Sequence, residues 1–296
     1  MKIVLTGSIG NVNKPLAQQL VAAGHQVTII SSNPSNTEAI SELGATAAIG
    51  SVEDASFIQQ SFAGADAVYL MIPPKFTVTN WKGYQQEVSD IYANAIASNQ
   101  VPHVVVLSSV GAHMGTGAGP VDGLAYLESA LNKATGFTAV YLRPSYFYYN
   151  LFSQIGLVQH ANIFGSAQPA DFTLVLSHTT DIADAAVAAL TQPAEGKTIQ
   201  YIASDVATWQ EIATELGNAI GKPGTPYIEF TDEQSYGGMK GAGLSDVLAN
   251  GYVTMNQALR SGEMQKHFFD NEPAQYGKVK LADFAKEFAA VYNAKN

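Results

Sequence analysis

Six short apolar runs, each followed by a turn and a stretch of helical period, narrow the folds open to this chain more than any other feature. The runs are Lys2–Thr6, Gln26–Ser31, Thr46–Ile49, Ala67–Met71, His103–Ser108 and Thr138–Leu142. Most are unbroken rather than alternating, which is the pattern of a strand buried on both faces. Helical periods fall between them, near Lys14–Ala23, Thr37–Leu43, Ala55–Phe62, Tyr84–Ser98 and Leu124–Ala134. Strand and helix in strict turn predict an α/β protein, with a doubly wound parallel sheet covered by helices.

The rhythm changes after about residue 150. Connections lengthen, and only Asp181–Leu190, Thr208–Ile220 and the apolar Leu281–Tyr292 read clearly as helices. The expected division is a sheet domain over 1–150 and a smaller α/β substrate lobe over 151–296, with segments returning to the first domain. The stretch Tyr236–Gly243 is too rich in glycine for a helix interior and reads as a flap or a surface loop.

Composition removes several classes of function. The chain has 25 acidic against 15 basic residues, a formal charge of -10, so its summed field repels nucleic-acid backbones and anionic lipid. No cysteine is present, which excludes disulfides, thiolate metal sites and a cysteine nucleophile. The six histidines at 25, 103, 113, 160, 178 and 267 show no metal-binding spacing, so no metal is expected. No apolar run reaches membrane-spanning length, and a glycine turn at Gly7 comes too early for a signal-peptide core. The expectation is a cytoplasmic protein with a small-molecule substrate, without nucleic-acid or membrane partners.

The segment Gly7-Ser8-Ile9-Gly10-Asn11-Val12-Asn13 follows the first strand at once and opens the first helix. In that setting a GxxGxx(G) spacing is a dinucleotide loop: the first glycine permits the turn, the second lets backbone approach a pyrophosphate, and the helix start attracts the anion. Such a loop makes the sheet domain Rossmann-like and NAD(P)-binding. Asn13 stands where a third glycine is usual, and its side chain is expected to loosen helix–strand contact or narrow the groove. After the second strand a ribose selector is expected, an acid for NAD or an arginine for NADP. Ser31, Ser32 and Asn33 stand there instead, and Lys14 on the first helix is the nearest candidate cation for a 2′-phosphate.

Ligands of such sheets lie beyond the carboxyl ends of the strands. Those ends carry Ile72-Pro73-Pro74-Lys75, then Ser108-Ser109, then Arg143-Pro144-Ser145-Tyr146-Phe147-Tyr148-Tyr149-Asn150. Ile72, Pro73, Ser108 and Pro144 are expected to frame a nicotinamide, and Tyr146, Phe147 and Asn150 to position a substrate. Tyr146, Tyr148, Tyr149 and His113 are the candidate proton donors, with water as the alternative; a core role for the aromatic run is equally compatible with the pattern.

Several of these segments together resemble the NmrA-like family of atypical short-chain dehydrogenases/reductases. They are Thr6-Gly7-Ser8-Ile9-Gly10, Asn33-Pro34, Leu107-Ser108-Ser109 and Leu142-Arg143-Pro144 with Phe147 and Asn150. Ser177-His178-Thr179-Thr180-Asp181-Ile182-Ala183 and the stretch from Gly238-Met239 to Arg260-Ser261-Gly262 are similar to members of the NAD(P)H:quinone reductase type. The resemblance implies a two-lobed protein holding NADP, alternatively NAD, with a cleft for a small substrate. It implies either reduction of a quinone-like or conjugated carbonyl acceptor, or a redox sensor without turnover that contacts a protein partner. The chain departs from the family in four places. Tyr126 is followed four residues on by Ala130 rather than the lysine of a Tyr-x-x-x-Lys pair, Leu124 replaces the lysine before Glu128, and Ser32 and Ser51 replace an arginine and an aspartate.

Overall fold

Strands that must be apolar on both faces need helices on both faces, and the chain supplies them in order. The computed structural model describes residues 1–193 and 195–294; Ala194 lies outside it, as do Lys295 and Asn296 at the end of the 151–296 span. Through the first half the elements are β1 (Lys2–Leu5), α1 (Asn13–Ala22), β2 (Gln26–Ser31), α2 (Thr37–Glu42), β3 (Thr46–Ile49), α3 (Ala55–Ser61), β4 (Ala67–Leu70), α4 (Trp81–Asn99), β5 (His103–Leu107), α5 (Asp122–Lys133) and β6 (Thr138–Pro144). There follow β7 (Tyr146–Phe147), α6 (Gln154–Ala161), β8 (Phe164–Ser166), β9 (Thr173–Ser177), α7 (Thr179–Thr191), β10 (Lys197–Ile202), β11 (Asp205–Thr208), α8 (Trp209–Ala219) and β12 (Tyr227–Glu229). Four helices close the chain: α9 (Asp232–Gly241), α10 (Asp246–Arg260), α11 (Glu263–Asp270) and α12 (Leu281–Ala294).

The central sheet has seven parallel strands in the order β10-β6-β5-β4-β1-β2-β3. Its two faces are separate cores. Ile3, Leu5 and Val105 meet Leu16 and Leu20 of α1 and Ile182 and Ala186 of α7. The intervening Val4, Val104 and Val106 meet Ile58 of α3, Val88 and Tyr92 of α4 and Leu127 of α5. This two-sided burial is why the runs do not alternate. A third core holds the remaining lobe, where Trp209, Leu216, Phe284 and Phe288 gather around Tyr148 and Leu151. Two small sheets, β11-β9-β7 and β12-β8, belong to that part of the chain, while β10 returns to the seven-stranded sheet. Among the described residues no helix is long and apolar enough to cross a membrane.

The stretch expected as a glycine-rich loop is instead the helix α9, and the expectation is corrected. No residue of α9 is buried, so apolar contact does not hold it. Thr231 and Gln234 form a reciprocal capping box at its start, which offsets part of the glycine cost. Asp232 bonds Arg260 at 3.1 Å and Gln257 at 2.8 Å, and the Tyr236 hydroxyl donates to Asp246 at 2.7 Å. Polar contacts to α10 thus keep the helix that its composition opposes.

Buried polar groups tie Ser177–Asp181 to β10, to the segment after β6 and to the chain before α12. The Ser177 hydroxyl donates to Ile202 O and accepts from Ser145 N–H, and Ser204 Oγ accepts from His178 N–H. Buried Asp181 then accepts from Ser204 Oγ at 2.6 Å, Lys278 N–H at 3.0 Å and Val279 N–H at 3.2 Å. Replacing Asp181 by Ala leaves those donors unpaired and is expected to cost roughly 2–4 kcal/mol of unfolding free energy in urea titrations. Lys278→Ala, which removes an ion pair whose lysine side chain is 86% exposed, is expected to leave the urea midpoint close to that of the unaltered protein.

His103 gives a pH prediction. It is buried on β5, with Nε2 against Ala189 O and Nδ1 against Thr138 Oγ1. Burial holds its pKa below the ordinary 6.5, outweighing those two bonds. Below that value the unfolded chain therefore binds more protons than the folded one, so stability is lost as the pH falls. Urea midpoints taken from about pH 7.5 down to about pH 5 should decline, and His103→Gln should flatten the decline.

Candidate functional site

The loop between β1 and α1 runs through left-handed angles at two successive residues, Gly7 at φ +97 and Ser8 at φ +59. Gly7 is obligatory on two counts, since a Cβ there would also overlap the Met71 side chain. Asn13 holds the turn in place. Buried at 4% exposure, its amide donates to Thr6 O at 2.7 Å and to Ser8 O at 2.8 Å. The asparagine expected to loosen the junction is its internal brace, because both its N–H groups reach backbone oxygens that a glycine would leave to other donors. Thr6 then ties the loop to β4, its hydroxyl donating to Met71 O at 3.0 Å and accepting Met71 N–H at 2.8 Å.

Helix α1 starts without a side-chain cap, although Lys14 N–H donates to Gly10 O at 2.9 Å. Val12 at the N-cap gives no side-chain bond, and the first turn has no acid. The positive end of the helix dipole therefore faces outward next to the loop, an arrangement that attracts an anion.

Beside the loop lies a crevice of about 370 Å³, bounded by Gly7 and Ser8, by Ser31 and Ser32 after β2, by Ser51 and Glu53 after β3 and by Pro73 and Lys75 after β4. Ser31 is buried, and its oxygen is shared among Ser8 Oγ at 2.9 Å, Asn36 Nδ2 at 3.2 Å and Asn33 N–H at 3.2 Å. Asn33 caps a short turn by accepting Ser35 N–H at 3.0 Å. Ser32 is exposed on the crevice wall. Lys14 is exposed on α1 and does not line the crevice. The charged groups there are Lys75 and Glu53, joined at 2.7 Å and 2.8 Å, and the sequence reading singled out neither. Their one signal was position, each falling a few residues beyond a strand end.

At the strand ends nearer the second lobe, Ile72 and Pro144 are buried and Pro73 is half-buried. The Ser108 hydroxyl, 3% exposed, donates to Glu128 Oε1 at 2.5 Å. Glu128 is paired in turn with Arg143 through two bonds, at 3.0 Å and 2.5 Å, and Arg143 Nη1 donates to the Tyr201 hydroxyl at 3.1 Å. Ser108 thus helps to satisfy a buried ion pair.

The four candidate proton donors are placed very differently. Tyr148 is fully buried, stacked on Phe284 at 4.9 Å, and its hydroxyl has no hydrogen-bond partner among the described residues. Tyr149 is 50% exposed and set edge-on against Phe152. His113 stacks on His267 at 5.1 Å, with Nε2 against Glu263 O; burial, and then the neighbouring His267 and Arg143, hold its pKa below the ordinary range. Tyr146 is half-buried, edge-on to Trp209 at 5.8 Å, and burial raises its pKa so that the phenol keeps its proton. Phe147 is half-buried against the sheet core, and Asn150 is exposed.

A larger hollow of about 600 Å³ flanks β10, at the opposite edge of the sheet from β3, and shares no lining residue with the crevice. No group of three or more His, Asp or Glu residues able to hold a metal ion occurs among the described residues.

The match to known structures spans the chain. An NADPH-dependent quinone oxidoreductase from Escherichia coli, solved in complex with NADPH, is 19% identical over 96% of this chain and 99% of its own, at a TM-score of 0.76. The Citrobacter sp. triphenylmethane reductase complexed with NADP(H) is 17% identical over 97% and 99%, at 0.79. A UDP-glucose 4-epimerase from Bifidobacterium longum, complexed with NAD+ and UDP, is 14% identical over 100% and 99%, at 0.70. At such identities the likeness establishes the Rossmann-like fold. No curated protein matches the sequence. A family model described as NAD(P)H-binding matches residues 7–193, from the first glycine of the loop to the end of α7. That match covers more than half of the chain, and the protein belongs to this NAD(P)H-binding family, in the NmrA-like, atypical short-chain dehydrogenase/reductase class.

Proposed function

We propose that the protein is an NADPH-dependent reductase that passes hydride to a small quinone-like or conjugated carbonyl acceptor. The observation that carries this reading is the loop held by Asn13 beside a helix start without a side-chain cap, opening onto a crevice of about 370 Å³. The residues present fit a dinucleotide, since Gly7 and Ser8 of the loop border the crevice and the first turn of α1 carries no acid to repel a diphosphate. When bound, the dinucleotide supplies the hydride. The protein's part is orientation, with the loop and α1 gripping the diphosphate and the ends of β4, β5 and β6 bounding the ring. Proton delivery falls to Tyr146. Tyr148 is committed to the aromatic core, Tyr149 lies against Phe152 at the surface, and His113 is set against His267. The phenol of Tyr146 remains protonated across neutral pH because burial and nearby Tyr227 both disfavour its anion.

One observation favours a second reading, a redox sensor without turnover. Ser108, Glu128 and Arg143 bond one another rather than the cleft, which leaves Tyr146 as the proton donor of the reductase reading without a polar partner set to assist it among those three. Stopped-flow absorbance of bound NADPH mixed with a panel of quinones separates the two. Acceptor-dependent oxidation supports the reductase, whereas tight binding with no oxidation by any acceptor establishes the sensor.

Two substitutions test the parts. Asn13→Ala is expected to weaken NADPH and NADH alike by roughly tenfold in fluorescence titrations, because the turn loses its brace. Tyr146→Phe is expected to lower the acceptor-dependent rate by about a hundredfold without changing the NADPH dissociation constant. An unchanged rate would assign the proton to water.

A further inference from the structure

We propose that Glu53 and Lys75 form an exchangeable clasp across the crevice, in which the 2′-phosphate of NADP(H) draws Lys75 away from Glu53 and so sets the preference for the phosphorylated cofactor. The inference rests on the dinucleotide reading above and names the residues that would choose between its two forms.

The clasp joins opposite walls. Glu53 follows β3 and Lys75 follows β4, and the ammonium donates to both carboxylate oxygens. Both side chains are partly exposed, 34% for Glu53 and 40% for Lys75, so the bond is weak enough to be exchanged. Lys75 also lies 5.5 Å from the centre of the Tyr84 ring, a contact that keeps the ammonium at the crevice when the carboxylate is displaced. A phosphate near neutral pH carries more charge than a carboxylate and three acceptor oxygens, so it outcompetes Glu53 for the same donor.

Among the described residues no other cation lines the crevice. The Ser31 oxygen is taken up by its neighbours, Ser32 is uncharged, and Lys14 lies outside the crevice. An adenosine without the 2′-phosphate offers Lys75 nothing better than Glu53, so it leaves the pair intact.

The test uses the intact protein and four probes, NADPH, NADH, 2′,5′-ADP and 5′-ADP, titrated by calorimetry. Lys75→Gln is expected to weaken NADPH and 2′,5′-ADP roughly tenfold while leaving NADH and 5′-ADP unchanged. Glu53→Gln, which frees the lysine, is expected to tighten 2′,5′-ADP by about threefold and to leave 5′-ADP unchanged. The unaltered binding of 5′-ADP also shows that each variant is folded. Equal losses for phosphorylated and unphosphorylated probes would overturn the clasp, placing the pair against the adenine instead. A selective loss in Lys14→Ala with none in Lys75→Gln would overturn it too, returning the role to α1. If the unaltered protein bound none of the four, the dinucleotide reading itself would fall, which is a different result from either.

Discussion

Everything at the cofactor edge depends on keeping one short turn in a conformation it would not hold alone. Two successive residues with positive φ are costly for a free chain, and Ser8 lacks the freedom of glycine. The cost is offset by bonds from three directions. Asn13 reaches back from the helix to Thr6 O and Ser8 O, Ser8 N–H donates to Ile30 O, and the Ser8 hydroxyl donates to Ser31. Because Thr6 is bonded through its side chain to the backbone of Met71, the same knot sets the separation of β1 and β4 at the mouth of the crevice. Its walls and the anion-facing amides are therefore one mechanical unit.

The second lobe is fixed to that unit by buried polar groups rather than by apolar contact alone. Ser177 bonds Ser145 and Ile202, Ser204 bonds His178 and Asp181, each hydroxyl both donating and accepting, and Lys280 Nζ adds a bond to Ser204 O at 2.6 Å. A second set runs along one face of the sheet from Ser108 through Glu128 and Arg143 to Tyr201 and His267. Arginine has only donors, so the Tyr201 oxygen accepts from it, and the same hydroxyl is bonded to His267 Nδ1 at 2.6 Å. Buried networks of this kind hold one arrangement of donors and acceptors and disfavour others.

Much of this was legible in the sequence, for a reason that also explains the failures. Runs buried on both faces announce themselves without reference to the rest of the chain, and β1 to β6 lie where the apolar runs were read. Edge strand β10 does not. In Lys197-Thr-Ile-Gln-Tyr-Ile polar residues interrupt the run, and Ile199 remains 45% exposed on a strand with a neighbour on one side only. Helix α9 was hidden by its glycines, since the capping box and the contacts of Asp232 and Tyr236 to α10 are absent from any local propensity. Lys75 and Glu53 stand far apart along the chain, and only the parallel order of β3 and β4 around β1 and β2 brings them to one crevice. Asn13 was visible as a departure from glycine, yet whether it disrupts or braces depends on where two carbonyls point.

The charge of the molecule bears on the chemistry less than its sign suggests. At a formal -10 the summed field opposes a dinucleotide, but at physiological salt charges beyond about 8 Å are largely screened. Within that radius the crevice is nearly neutral, with one lysine balanced by one glutamate and serines around them. What remains attractive is the backbone, in the form of the loop amides and the start of α1, and these donors neither titrate nor dissociate. Recognition of a diphosphate by backbone would not tell NADH from NADPH, because both carry the same one. Discrimination therefore has to come from side chains, and in this crevice the charged ones are a pair that already hold each other.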